Sequence, residues 1–257
     1  MKRRKPNVKN QKVQKIVDAA SIGIDDAVSA IKESGLPNKP LISSIAELTG
    51  LKKKKSAQLV ESMQATEQIA SDIHQMSFAF LGGGSFGTAM ANLAAKNGCD
   101  ATLWVRDKRT VKSLHKTRIN KKYLPNHKLD ERLKFSHDLK TAVAGVDVIF
   151  VAVPSSAFRE MLTNIKPFIT HQAVVSLTKG MEKETFAMMS DIIQEVLPEV
   201  NFGVMSGPNL AVEIMDNMPT ATVIASASEP LRKAVQTALH SAFFHVFASS
   251  DIKGVEL

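Results

Sequence analysis

The sequence predicts an α/β protein with a doubly wound, mostly parallel β-sheet, preceded by an N-terminal helical extension. Two observations support this prediction. From Ser77 onward, short apolar runs rich in β-branched residues alternate with helical patterns, which is typical of parallel strands covered by helices on both faces. Over residues 1–76, apolar residues recur at helical spacing and no strand pattern is found. We therefore expect a basic tail and helical extension at 1–76, followed by an α/β domain at 77–250.

The N-terminal region carries most of the positive charge. The formal net charge of the chain is +8, and residues 2–15 contain seven Lys or Arg and no acidic residue. Such a run is typical of a solvated tail. Helical spacing over 13–34 and 52–74 predicts the helical part. The segment "SSIAELTGLKKKKSAQLVESM" (43–63) also has the apolar spacing of a helix-turn-helix, but its four consecutive lysines form no base-reading pattern. Nucleic-acid binding is therefore not expected, although it stays open as an alternative.

The strands and helices of the α/β domain follow one another along the chain. Each predicted strand is a short apolar run, as expected for a strand buried on both faces, and each predicted helix has apolar residues at i, i+3 and i+4. Strands are predicted at 77–81, 101–105, 147–153, 173–178, 202–206, 220–226 and 244–249, and helices at 86–97, 155–165, 184–197 and 229–241.

Composition excludes several classes of protein. Cys99 is the only cysteine, so the chain can form neither an internal disulfide nor a thiolate metal cluster. No apolar run approaches the roughly 18 residues of a membrane span, and the basic start is not followed by the apolar segment of a signal peptide. We expect a soluble, cytoplasmic protein without a metal site.

The segment "FAFLGGGSFGTAM" (78–90) predicts a phosphate-binding turn between the first strand and the first helix. Gly82, Gly84 and Gly87 form a G-x-G-x-x-G pattern in that context. The first glycine would permit a tight turn, the second would admit a pyrophosphate to the backbone, and the third would let the helix pack closely on the strand. The pattern favours a Rossmann-like dinucleotide-binding domain.

The same letters also spell the G-x-S-x-G nucleophile elbow of α/β-hydrolases, with Ser85 as the nucleophile. That elbow normally comes several strands into the sheet, whereas here it follows the first strand. The histidines that could complete a triad, His240 and His245, have no obvious acidic partner. A hydrolase is therefore the weaker interpretation.

The end of the second strand, "LWVRDKR" (103–109), bears on the choice of cofactor. Dinucleotide folds usually place an acidic residue that binds the ribose about 20 residues beyond the glycines. Here Arg106 ends the strand, and a cation there suits the 2′-phosphate of NADP. NADP is favoured over NAD, although Asp107 could instead accept a hydrogen bond from a ribose hydroxyl.

Three later segments lie at the carboxyl ends of predicted strands, where an open α/β sheet places its ligands: "VAVPSSAFR" (151–159), "SLTKGME" (176–182) and "MSGPNLAVE" (205–213). Lys179 would direct an ammonium into the crevice, to bind a phosphate or to polarise a carbonyl oxygen. The turn that contains Asn209 would suit a small polar substrate.

Taken together, these segments resemble the NAD(P)-dependent glycerol-3-phosphate dehydrogenases of bacterial type. The resemblance runs from about Phe78 to Leu257. It is carried, in order, by "GGGSFGTAMA", "LWVRD", "NKKYLPN", "VAVPS", "TKGME", "SGPNLAVE", "PTATVIAS" and "GVEL". It implies an oxidoreductase that uses NADPH or NADH to reduce dihydroxyacetone phosphate to sn-glycerol 3-phosphate, a precursor of phospholipids.

The resemblance also implies the roles of individual residues. Lys179 would be catalytic and would contact both cofactor and substrate, with Gly207 and Asn209 on the substrate side. The family usually has Ser or Thr where Asn209 stands. The cofactor site would be formed by Gly82, Gly84, Ser85, Phe86, Gly87, Arg106, Asp107, Tyr123, Pro154, Lys179 and Ala211.

In this family "GVEL" leads into a helix that bears a second lysine, the general acid/base, and into a helical domain. The sequence ends at Leu257, so we expect residues 251–257 to begin that domain. The nucleotide site should be nearly complete, and the catalytic site should not. A homodimer is compatible with this interpretation. The alternative from a different class is a non-catalytic NADP-binding module with a helix-turn-helix-like, DNA-binding arm.

Overall fold

The computed structural model describes residues 52–54, 57, 58, 61 and 76–257. Contacts divide the chain into two units, Met1–Asp72 and Ile73–Leu257. In the first unit the backbone is helical at 53, 54, 57, 58 and 61, as the sequence predicts there, and the three lysines at 52–54 are exposed. The rest of the predicted extension, including most of the candidate helix-turn-helix at 43–63, lies outside the described residues.

The described part of the second unit is built on one eight-stranded sheet, in the order β3-β2-β1-β4-β5-β6-β7-β8. All neighbouring strands are parallel except β6 and β7, which are antiparallel. The doubly wound, mostly parallel sheet predicted from the sequence is therefore confirmed. The strands are β1 Ser77–Leu81, β2 Asp100–Trp104, β3 Lys134–Ser136, β4 Val148–Val151, β5 Ala173–Ser176, β6 Phe202–Ser206, β7 Thr220–Ala225 and β8 Phe244–Ser249.

Helices connect these strands and cover the sheet. They are α1 Ser85–Lys96, α2 Lys108–Thr117, α3 Leu139–Val143, α4 Phe158–Ile165, α5 Met189–Val196, α6 Ala211–Met215, α7 Glu229–Leu239 and α8 Ile252–Glu256. Short 3₁₀ turns precede and follow α4, at Ser155–Ala157 and Lys166–Phe168. No helix within the described residues is both long enough and apolar enough to cross a membrane.

Two hydrophobic clusters lie on opposite faces of the sheet. Along β1, Phe78 and Phe80 belong to the cluster that contains α1 and α7, whereas Ala79 and Leu81 belong to the cluster that contains α4 and α5. Phe80 also stacks on Phe150 of β4, with ring centroids 4.6 Å apart. Because both faces are buried, β1 is a continuous apolar run rather than an alternating one.

Several elements differ from those predicted from the sequence. The predicted helix at 184–197 begins only at Met189, because Phe186 adopts φ +55° and Thr185 Oγ1 bonds back to Glu182. The strand β3 has three residues with one buried side chain, too short for a periodic signal. The sequence analysis also did not predict α2, α3, α6 and α8.

The strand order fixes where a ligand can bind. The chain runs outward from β1 through β2 to β3 and then returns to place β4 on the other side of β1. In open α/β sheets, the crevice at such a reversal, beyond the carboxyl ends of the strands, is the usual ligand site.

Candidate functional site

The glycine turn after β1 has room for side chains at some positions and not at others. Gly82 adopts φ +129°, and a Cβ there would collide with the carbonyl group of Ala152. A Cβ on Gly87 would collide with the carbonyl oxygen of Gly82, so α1 lies directly against the turn. At Gly84, in contrast, no atom lies within 4 Å of an added Cβ. The turn therefore has no room for a side chain at Gly82 or Gly87 but is open at Gly84, as a bound pyrophosphate requires.

The start of α1 offers unpaired hydrogen-bond donors at this opening. Gly84 is the N-cap residue, and no side chain caps the helix. The first N–H groups of a helix lack partners within the helix, and they lie at the positive end of its dipole. Ser85 and Phe86 begin the helix, and Phe86 packs partly against the core. The arrangement fits an anion such as a diphosphate.

Asn120, which is distant from the glycine turn in the sequence, stabilises the turn through hydrogen bonds. Its side chain is 1% exposed, and its Nδ2 donates to the carbonyl oxygen of Gly83 at 3.0 Å and to Thr88 Oγ1 at 2.9 Å. Both amide hydrogens are thus used to fix the turn and the first turn of α1. The sequence analysis did not single out Asn120; the only signal was its place at the start of "NKKYLPN".

A crevice of about 420 Å³ opens beside the turn, at the carboxyl ends of β1, β2 and β4. We call it the β1–β4 crevice. It brings together five of the predicted cofactor residues, Gly84, Arg106, Asp107, Tyr123 and Pro154. Tyr123 is 44% exposed, and Lys122 Nζ lies 4.9 Å from the centre of its ring.

The two charged residues at the end of β2 have different environments. Asp107 is the N-cap of α2: its Oδ2 accepts from Thr110 N at 2.9 Å and from Thr110 Oγ1 at 2.7 Å. The bonds from Thr110, followed by that from Arg109 N, lower the pKa of Asp107 below its usual value. Arg106 is exposed and forms no hydrogen bond or ion pair with any other described residue. Its guanidinium is therefore available to a ligand, whereas the Asp107 carboxylate already caps its own helix.

Lys179 lies at the end of β5, where its Nζ donates to the carbonyl oxygen of Gly207 at 2.9 Å. The preceding residue, Thr178, donates through Oγ1 to the carbonyl oxygen of Val153 at 2.8 Å and so ties the end of β5 to the end of β4. A second cavity of about 340 Å³ lies beside Lys179, at the carboxyl ends of β5 and β6. The structure thus brings two predicted substrate residues, Lys179 and Gly207, into direct contact.

The side-chain amide of Asn209 forms hydrogen bonds mainly within the protein, to the start of β7. It is 8% exposed, and its Nδ2 donates to Thr220 Oγ1 at 3.0 Å and to the carbonyl oxygen of Ala221 at 2.7 Å. Because both amide hydrogens are taken, only Oδ1 is left to accept from a substrate. Ala211, predicted near the cofactor, begins α6 two residues later.

An ion-pair network fixes the loop that follows Lys179. Arg159 of α4 donates to both oxygens of Glu182, at 2.7 and 2.9 Å, and also contacts Glu195 of α5 at 2.8 Å. The Arg159 guanidinium, together with the Thr185 hydroxyl, lowers the pKa of Glu182 to about 2. Sequence analysis missed this network because its members are far apart in the chain.

The last described helix, α8, is attached to α5. Glu256 accepts hydrogen bonds from the backbone N–H of Ser190, at 2.8 Å, and from its hydroxyl. Lys253 also forms an ion pair with Asp191. Glu256 and Leu257 line the cavity beside Lys179, so "GVEL" contributes to the predicted substrate side.

The geometry does not support the hydrolase alternative. Ser85 forms no hydrogen bond with a histidine in the described part of the chain. His240 and His245 instead lie against each other, with ring centroids 5.1 Å apart, at the β8 edge of the sheet.

Comparisons with known proteins agree with this geometry. Residues 77–232 match the sequence model of a family described as NAD-dependent glycerol-3-phosphate dehydrogenase N-terminus. Glycerol-3-phosphate dehydrogenase (NAD(P)+) of Psychrobacter arcticus is 62% identical over 238 residues, which cover 90% of this chain and 55% of that protein. The protein of the same name from Acinetobacter baumannii is 62% identical over 177 residues, which cover 69% of this chain and 50% of that protein. The chain thus spans about half the length of the curated relatives it matches.

Solved structures show the same likeness. The crystal structure of glycerol-3-phosphate dehydrogenase from Coxiella burnetii matches with a TM-score of 0.67 and 36% identity, over 70% of this chain and 56% of that one. The enzyme from Saccharomyces cerevisiae matches with a TM-score of 0.65 at 24% identity, over 71% of this chain and 58% of that one, which supports the fold alone. The Psychrobacter arcticus match also extends into residues 1–76, because residues 77–257 alone make up less than 90% of the chain. Part of the segment 1–76 is therefore shared with this relative.

Proposed function

Because the chain belongs to the NAD-dependent glycerol-3-phosphate dehydrogenase family, we propose that it forms the cofactor-binding part of an enzyme that reduces dihydroxyacetone phosphate to sn-glycerol 3-phosphate. The observation that carries the proposal is the β1–β4 crevice, in which the open glycine turn, Arg106 and Tyr123 meet. The curated relatives bear the name of this enzyme, although the chain spans about half their length.

The residues of the crevice fit a dinucleotide. The open space at Gly84 and the uncapped start of α1 would hold the pyrophosphate. Arg106, which has no partner among the described residues, would bind a 2′-phosphate, so we favour NADP over NAD. Asp107 supports this preference, since its carboxylate caps α2 rather than standing free for a ribose hydroxyl. When bound, the reduced cofactor supplies the hydride.

Lys179 would act on the substrate carbonyl. Hydride addition to the ketone carbon turns the carbonyl oxygen into an alkoxide, and a fixed ammonium beside that oxygen stabilises the developing charge. Lys179 lies beyond the end of β5, where its Nζ donates a hydrogen bond to the carbonyl oxygen of Gly207. The alkoxide must then take a proton, and a positioned donor contributes roughly 10²–10⁴-fold to such a step.

The first experiment is a fluorescence titration of purified 1–257 with NADPH and with NADH, followed by addition of dihydroxyacetone phosphate. We expect saturable binding of NADPH, tighter than that of NADH. Failure of the folded chain to bind either cofactor would overturn the proposal. Oxidation of NADPH on adding the substrate would extend the proposal from cofactor binding to full activity.

Two further expectations stay predictions, and one alternative stays open. A homodimer is tested by light scattering, and a cytoplasmic location by fractionation of the source cells. The DNA-binding alternative gains no support from the exposed lysines 52–54 alone, and most of 43–63 lies outside the described residues. It would require a salt-dependent affinity for DNA that is lost when residues 1–76 are deleted.

A further inference from the structure

His127 and Asp216 form a contact between two segments that flank α1. His127 Nε2 lies 2.8 Å from Asp216 Oδ1, and the two residues are 89 positions apart in the sequence. The His127 side chain is 16% exposed and that of Asp216 is 49% exposed. The contact is therefore partly shielded from water on the histidine side.

His127 belongs to a loop, residues 118–133, that we call the Asn120 loop. The loop also carries Tyr123 of the β1–β4 crevice, and Asn120 anchors it to the glycine turn. Further along, Asp130 N donates to Asn92 Oδ1 of α1 at 2.7 Å. The loop is thus fixed to α1 at two points, and His127 lies between them in the sequence.

Asp216 directly follows α6, the helix that begins at Ala211. The same Asn92 side chain that binds the Asn120 loop also donates through Nδ2 to Met215 Sδ, at 3.5 Å. Asn92 of α1 therefore forms hydrogen bonds with both segments. The His127–Asp216 contact joins them directly and closes a ring of contacts that includes Asn92 of α1.

The two ring nitrogens of His127 have different surroundings. Nδ1 is buried and has no hydrogen-bond partner among the described residues. Nε2 faces a carboxylate oxygen of Asp216, which accepts a hydrogen bond, so Nε2 is the nitrogen that donates in this contact.

From this geometry we propose that the His127–Asp216 pair is a positioning contact for the cofactor site. The pair fixes the distance between the Asn120 loop and α6, and thereby the positions of Tyr123 and Ala211 relative to each other. The inference rests on the proposed function, because both of these residues are expected to line the dinucleotide. Neither His127 nor Asp216 needs to touch the cofactor.

The test is a double-mutant cycle on the full chain, using the dissociation constants of NADPH and NADH. His127→Ala, Asp216→Ala and the double variant are compared with His127→Gln, whose side-chain amide can still donate from about the position of Nε2. His171→Ala serves as the control, since His171 is exposed and its ring forms a hydrogen bond with no described residue other than its neighbour Thr170. Thermal unfolding of every variant is recorded in parallel.

We expect each alanine variant to bind both cofactors roughly three- to tenfold more weakly, the range for one net hydrogen bond. The double variant should be no worse than either single variant, and His127→Gln and His171→Ala should bind like the wild type. Unchanged affinities, a fall in melting temperature alone, or additive losses would overturn the inference while leaving the proposed function intact. A folded wild-type chain that binds neither cofactor would overturn both. If the alanine variants fail to fold, a His127→Gln variant that folds but binds as weakly as a crevice mutant also overturns the inference.

Discussion

The side-chain amide of Asn120 donates to the carbonyl oxygen of Gly83, 37 residues earlier in the chain, at a distance of 3.0 Å. The shape of the glycine turn therefore depends on a buried residue outside it as well as on its own glycines. The turn is stabilised from the side of the crevice where the cofactor is expected to bind.

Replacing Asn120 with Ala should reduce both stability and cofactor affinity. The substitution leaves Gly83 O and the Thr88 hydroxyl without a partner in a buried region, at a cost of about 1–3 kcal/mol in the free energy of unfolding. Urea unfolding and NADPH titration measure the two effects.

Asn97→Ala is the matched control for this prediction. Asn97 also donates two hydrogen bonds through its amide, to the carbonyl oxygens of Ala238 and His240, but at the other end of α1. We expect it to lower stability and leave NADPH affinity unchanged. An equal loss of affinity in both variants would show that Asn120 has no special role at the turn.

Gly82→Ala should cost more than Gly145→Ala. Gly145 has φ +68°, in the left-handed helical region, and open space around it, so alanine there should cost about 1–2 kcal/mol for the backbone alone. The φ of +129° at Gly82 lies outside that region and favours glycine still more strongly. At Gly82 the new methyl would also meet the Ala152 carbonyl, which adds roughly 1–3 kcal/mol. Similar unfolding free energies for the two variants would refute a steric role.

Arg106→Ala should weaken NADPH more than NADH. A hydrogen-bonded charge pair contributes about 1.5–3 kcal/mol, or roughly 10- to 100-fold in affinity, and only NADPH carries the 2′-phosphate. Arg109→Ala is the control, because Arg109 is nearby and its side chain is 96% exposed. Equal losses for both cofactors in the Arg106 variant would remove the 2′-phosphate assignment.

Lys179→Ala should leave NADPH affinity within about twofold and weaken the binding of dihydroxyacetone phosphate to the NADPH-loaded chain by roughly 10-fold or more. The reason is that Lys179 lies at the end of β5 beside Gly207, whereas the glycine turn and Arg106 lie at the ends of β1 and β2. Calorimetric titration of the substrate measures the effect, with the exposed Lys233→Ala as control. Unchanged substrate binding would exclude contact between Lys179 and the carbonyl.

Sequence reasoning located the features whose cause is local. The roles of Gly82, Gly84 and Gly87 follow from a strand and a helix that are adjacent in the chain, and the structure has the corresponding tight and open positions. The roles of Asn120 and of the Arg159–Glu182 pair depend on contacts across long stretches of sequence, so no periodicity indicates them. The predicted helix over 184–188 was wrong for a local reason, since the Thr185 hydroxyl donates to Glu182, three residues earlier, and Phe186 adopts φ +55°.

The Arg159–Glu182 pair predicts how stability depends on pH. The pKa of Glu182 falls from 4.5 to about 2 in the folded protein, first because of the hydrogen bonds from Arg159 and then because of Thr185. A carboxyl whose folded pKa is depressed stabilises the protein above its unfolded pKa. That contribution is lost as the pH falls through the window between the two values. Glu182→Gln removes this titration, so its stability should fall less steeply than that of the wild type between pH 4.5 and about 2.

Urea unfolding midpoints measured across this window test the prediction, with the exposed Glu199→Gln as control. Because the same pair holds the loop after Lys179, Glu182→Gln should also weaken substrate binding while leaving NADPH binding unchanged. If the urea midpoints of the Glu182 variant and the wild type fall equally with decreasing pH, the ion pair contributes nothing to folding stability. If the midpoints fall differently but substrate binding is unchanged, the pair stabilises the fold without positioning Lys179.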